Sequence, residues 1–124
     1  KYTDKNFIRC DSWVYNAGLL DNLKQIFYIN SQRINKIFKT NFPIYLSIDK
    51  DIIRKKYLKT KWTQGMISPQ QLINFISNLH SLNKIIGIDV CGEPELDIEE
   101  LEKSESINLS IIECVRTLNI RKSA

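Results

Sequence analysis

Asp49 and Asp51 stand two residues apart at the end of a dense apolar, β-prone run, Phe42 to Asp51, FPIYLSIDKD. Pro43 opens the run, and Ile44, Tyr45, Leu46 and Ile48 fill it. A short apolar run bounded by turn or charged residues fits a strand buried on both faces, as in a parallel sheet. Ligand sites in such sheets lie at the carboxyl ends of the strands. If the strand continues through both aspartates, their side chains leave the same face and Lys50 points the other way. Two converging carboxylates are what a hard divalent cation prefers as ligands. The plainer alternative is a pair of solvated loop residues, because D-x-D at strand ends is common.

Positioning these residues takes one domain, or part of one, in a chain of 124 residues. The hydrophobic share of 43% is ordinary for a globular chain. No apolar run reaches the length of a membrane span, and no signal-peptide pattern opens the chain. The first residue is Lys1 rather than Met, as expected of a processed chain or one cut from something longer. Cys10, Cys91 and Cys114 form an odd, widely spaced set with no CxxC, which argues against a disulfide framework or a zinc site. Reduced thiols in a cytoplasmic setting are expected. The net charge of +4, from 18 basic and 14 acidic residues, does not by itself call for nucleic acid or membrane.

The pattern predicts a short helix from Trp13 to Leu20, capped by Asp11 or Ser12 and weakened by Gly18. It predicts a strand at Gln25 to Ile29, QIFYI, and a short helix over Ser31 to Lys39 with Ile34, Ile37 and Phe38 on one side. After the strand at Ile44 to Ile48, the stretch from Asp51 to Met66 is long and mostly polar. It carries Arg54, Lys55, Lys56, Lys59 and Lys61 with Tyr57 and Trp62 among them. Basic residues interleaved with aromatics can bind single-stranded nucleic acid, though such a run is more often a solvated loop. Ser68, Pro69 and Gln71 form a capping box with a pre-organised proline, opening a helix whose apolar face is Leu72, Ile73, Phe75, Ile76 and Leu79. His80 at its end has no His or Cys partner at ligand spacing and fits a helix C-terminal residue better than a metal ligand. IIGIDV, within Lys84 to Val90, is a second buried-strand pattern. An acidic segment, Glu95 to Glu102, allows a turn of helix. Ser104 to Ile120 reads as a final amphipathic helix ending in Arg121 and Lys122. This alternation is that of an α/β fold with a mainly parallel sheet.

Three segments, IYLSIDKD, QGMISPQQLINFI and IIGIDVCGEP, resemble the arginase/agmatinase (ureohydrolase) family in order and spacing. In that family a strand ending S-x-D-x-D is followed by a Gly-containing loop and a helix opening with Thr or Ser. A strand ending in Asp, with a nearby Glu and Pro, comes next. The resemblance covers about residues 42–124, including a last helix with Asn108. It implies a three-layer, mainly parallel α/β sheet flanked by helices, of which this chain holds the C-terminal part. It also implies a hydrolase with two manganese ions, whose bridging hydroxide attacks a guanidinium carbon and releases urea. Asp49 and Asp51 match the S-x-D-x-D ligands. Glu93 lies near a family Glu that contacts the substrate's guanidinium. The family places two residues between Asp and Glu, whereas three separate Asp89 from Glu93, and a solvated turn residue is the other reading of Glu93. The family's remaining ligands, an earlier His and a D-x-H-x-D motif, have no match. Tyr2-Thr3-Asp4 and Cys10-Asp11-Ser12-Trp13 resemble the region just after those histidines, which puts Asp4 at the last Asp and Tyr2 where His would be. Asp4, Asp49 and Asp51 would then hold one Mn²⁺ or Mg²⁺, short of a two-metal site.

Three functions follow. The first is a metal-dependent hydrolase of guanidino or amidine C–N bonds, or the C-terminal part of one, acting on a small cationic substrate. The second is a degenerate, non-catalytic α/β module acting through protein contacts. A three-stranded sheet leaves its edges open and buries little, so the chain is expected to be a fragment, a reduced homologue, or a chain whose sheet a second copy or another partner completes. The third, nucleic-acid binding through residues 54–62, is disfavoured by the acidic segment at Glu93 to Glu102 and the lack of a known motif.

Overall fold

The computed structural model describes residues 13–123. Its elements are α1 (Trp13–Ala17), β1 (Ile44–Asp49), a 3₁₀ turn (Lys50–Ile52), α2 (Pro69–Leu82), β2 (Ile85–Cys91) and α3 (Ile98–Ser123). The architecture is a small α/β fold: β1 and β2 pair in parallel, flanked by helices.

Two strands stand where the pattern predicts three. QIFYI has β-prone residues but no ladder partner among the described residues, and Phe27 and Tyr28 are exposed. Strand propensity is realised only through cross-strand neighbours, which here are lacking. The helix expected over 31–39 is also absent. The Asn30 side chain accepts from the backbone N–H groups of Gln32 and Arg33, both at 3.2 Å, which stabilises a turn that competes with helix. Ile34 is buried, Phe38 packs edge-on against Phe27 and Phe75, and Ile37 points to solvent. α1 stops at Gly18, as the glycine suggests; its expected caps, Asp11 and Ser12, lie outside the described residues.

α2 begins as predicted. Ser68 Oγ accepts from the Gln71 N–H at 3.2 Å, and the Gln71 side chain accepts from the Ser68 N–H at 2.9 Å. Leu72, Phe75, Ile76 and Leu79 are buried. Asn83 caps the far end. Its Nδ2 donates to Leu79 O and Phe38 O, and its Oδ1 accepts from Thr40 N–H. One side chain thus ties α2 to the segment entering β1. α3 starts earlier than the apolar periodicity indicates. Asp97 accepts from the Glu99 N–H at 2.8 Å and caps the helix, so the acidic segment forms its first turn.

The two strands are not buried on both faces. Leu46, Ile48, Ile88 and Val90 face a single core shared with α2, α3, Ile34, Ile53, Leu58 and Ile67. Tyr45, Ser47 and Asp49, with Gly87, Asp89 and Cys91 opposite them, form a polar second face that is half-buried to exposed. β1 therefore alternates residue by residue.

The stretch 51–67 is anchored, not loose. Ile53, Leu58 and Ile67 are fully buried. Gln64 Nε2 donates to Ile53 O and Leu58 O, and Arg54 N–H donates to Ile67 O at 2.8 Å. Buried Glu100 on α3 accepts from Lys59 N–H at 2.6 Å and from Lys103 Nζ at 2.9 Å, and these donors hold its pKa below the usual glutamate value. Glu99 and Glu100 in turn push Lys103 up to about 12. The basic and aromatic residues of the stretch point outward from this frame.

Candidate functional site

β1 ends at Asp49, and the backbone turns at once into the 3₁₀ segment that holds Asp51. The two carboxylates are therefore not simply successive side chains on one strand face. Asp49 Oδ1 accepts from the Asp51 N–H at 3.0 Å, closing the turn. Lys50 points the other way, as alternation predicts. It is buried, and its Nζ donates to Ser104 Oγ on α3 at 2.6 Å.

Asp51 is half-buried, and its Oδ1 is buried without a hydrogen-bond partner. Burial raises its pKa, the nearby Thr60 hydroxyl lowers it, and the Asp49 charge raises it again. Thr60 Oγ1 is itself buried without a partner, so the two groups are neighbours that do not meet in hydrogen-bonding geometry. Unpaired buried polar atoms are uncommon and mark strain, a bound water, or a place where an ion or ligand belongs.

β2 brings its own polar residues to the same end of the sheet, with Cys91 in register with Asp49. Cys91 is exposed as a residue, yet partial desolvation of its thiol pushes it up, followed by Asp49, Asp89 and Asp51, with Lys50 opposing. Desolvation and the carboxylate field both favour the thiol over the thiolate, contrary to what a nucleophilic cysteine needs. Asp89 accepts from Ser47 Oγ at 2.8 Å and raises the pKa of Tyr45 beside it.

Gly92 follows at φ +87°. A Cβ there would lie 2.6 Å from Asp49 Oδ1 and 2.7 Å from Lys50 N, so only glycine lets the two strand ends approach this closely. Glu93 is next and exposed. Pro94 bridges to Thr60, and Glu95 N–H donates to Lys59 O, which closes the anchored stretch over this end of the sheet.

The structure therefore brings Asp49 and Asp51 together, with Asp89 and Cys91 nearby. Asp4 lies outside the described residues. Among the described residues, no three His, Cys, Asp or Glu side chains converge as a metal site. His80 is remote from this end of the sheet in its bonding: its Nε2 pairs with Asn119 Oδ1 at 2.8 Å on α3. Thr60, Cys91 and Gly92 were not legible as site residues from composition. The Gly92-Glu93-Pro94 sequence after β2 is a local signal that could have found the last of them.

No family model and no solved structure matches the chain. An uncharacterized protein of Thermotoga maritima is 33% identical over 125 aligned residues, covering 88% of this chain and 51% of the relative. The chain thus spans about half the length of this curated relative. No described helix is long and apolar enough to cross a membrane.

Proposed function

We propose that this chain carries the carboxylate part of a divalent-cation site in an arginase/agmatinase-type hydrolase of guanidino or amidine C–N bonds. One observation carries the reading. Asp51 presents a buried, unpartnered carboxylate oxygen beside Asp49, at the carboxyl end of a parallel strand pair. A cation placed there would relieve both the unpaired oxygen and the carboxylate repulsion.

The fit is to one hard cation held through Asp49 and Asp51, with Mn²⁺ the ion the resemblance implies and Asp4 its expected third carboxylate. When bound, manganese lowers the pKa of a coordinated water so that hydroxide forms near neutral pH. The chain's own residues do the rest. Asp51 N–H fixes Asp49 Oδ1, and among the described residues the other oxygen accepts no hydrogen bond. Gly92 keeps the β2 end against that turn, and exposed Glu93 offers a carboxylate to a cationic substrate. The remaining family ligands have no match in this chain and would be supplied from elsewhere.

Mn²⁺ titration followed by electron paramagnetic resonance tests this reading. Loss of the free-ion signal with this chain, and its return in Asp49→Asn/Asp51→Asn, is expected. Equal free Mn²⁺ with and without protein sinks it. That result would favour the non-catalytic module, a reading supported by the open edges of the two-stranded sheet.

A further inference from the structure

The outward side of α3 carries a second, separate apolar stripe. Ile98, Leu101, Glu105, Leu109, Ile112, Arg116 and Ile120 are all exposed and follow one another at steps of 3, 4, 4, 3, 4 and 4 residues. That is an 11-residue repeat, 3.67 residues per turn, which keeps a seam on one side of a nearly straight helix. It lies away from the core side of α3, where Ser104, Ile107 and Ile111 are buried.

The stripe is self-complementary when read backwards. Around a centre between Ser110 and Ile111, Leu109 mirrors Ile112, Glu105 mirrors Arg116 and Leu101 mirrors Ile120. A two-fold axis at that centre would lay two α3 helices antiparallel. Each Leu109 would meet the other copy's Ile112, each Glu105 would meet Arg116, and each Leu101 would meet Ile120. Such an interface is isologous: residue i touches j, and j touches i. Neither Glu105 nor Arg116 has an ion-pair partner among the described residues, so both charges are available to the second copy. A parallel pairing would instead set Glu105 against Glu105 and Arg116 against Arg116.

We infer that α3 is a homodimerisation helix, pairing antiparallel with α3 of a second copy through this seam. The inference is independent of the proposed metal site.

Sedimentation equilibrium of the full chain tests it, read against the 14.5 kDa chain mass. The expected result is a concentration-dependent dimer. Ile112→Glu, at a surface position, should give a monomer with unchanged circular dichroism. Glu105→Arg alone and Arg116→Glu alone should each weaken the dimer by about tenfold or more, because each sets like charges opposite one another. The double variant Glu105→Arg/Arg116→Glu should restore it. A chain that stays monomeric at all concentrations overturns the inference and leaves the stripe to some other occupant. So does a dimer indifferent to Ile112→Glu and to the charge changes, which would place the contact elsewhere, such as the sheet edge.

Discussion

The two faces of the β1–β2 pair are built from interleaved residues of the same strands, yet they serve opposite ends. Leu46, Ile48, Ile88 and Val90 enter the core with α2 and α3. Tyr45, Ser47, Asp49, Gly87, Asp89 and Cys91 stay in reach of solvent and gather polar groups toward the carboxyl end. One side supplies burial and hence stability. The other stores unfavourable electrostatics, with three carboxylates near one thiol and a buried oxygen left unpaired. Perturbed groups of this kind gather at functional sites and in structural networks alike, and they are the ground for the proposed cation site.

Substitutions on each face should separate these roles. Ile48→Ala, on the packed face, is expected to cost about 2–5 kcal/mol of stability in urea unfolding, through lost burial and the cavity left behind. A cost no larger than that of a surface change would mean the packed face is not the core. Next in size is Gly92→Ala, expected to cost about 1–3 kcal/mol through its positive φ and the clash with the Asp49 turn. It should also weaken Mn²⁺ binding, whereas Ile48→Ala should not do so while the protein stays folded.

Asp51→Asn should act in the opposite direction. The folded-state pKa of Asp51 is raised. Its ionisation therefore costs stability as pH rises through that pKa, and nothing below the unfolded value of about 3.8. In metal-free buffer Asp51→Asn should be slightly more stable than the parent at neutral pH, by less than about 1 kcal/mol, and the gain should vanish as pH falls toward 3.8. Melting curves across pH would show it, and a loss of stability at neutral pH would contradict the electrostatic account. The smallest effect is expected from Tyr45→Thr, on the open face, within about 0.5 kcal/mol by the same unfolding assay.

The sequence makes local features readable and long-range ones not. The Ser68–Pro69–Gln71 cap and the apolar face of α2 are written in adjacent residues, and both form as expected. The β1 and β2 runs and the carboxylates at the first strand's end are legible for the same reason. Burial of both strand faces is misread because Ile44 to Ile48 is dense enough to mask the alternation of Tyr45, Ser47 and Asp49. QIFYI fails as a strand because pairing is settled by distant residues, and the helix over 31–39 fails because Asn30 ties the N–H groups of Gln32 and Arg33 into a turn. The stretch 51–67 looks like a solvated loop, yet Glu100 holds it from α3 and Gln64 braces it from within, at separations that no local pattern reveals. Asp51's buried oxygen beside Thr60 belongs to the same class.

Whether Asp49 and Asp51 hold a cation is decided by thermal unfolding with and without millimolar Mn²⁺, on the parent chain and on Asp49→Asn/Asp51→Asn. A ion that binds only the folded state raises Tm by mass action. A rise at neutral pH is expected, shrinking as Asp51 protonates and absent in the double variant. An equal rise in both proteins, or none in the parent, would contradict the assignment of this carboxylate pair as a metal site.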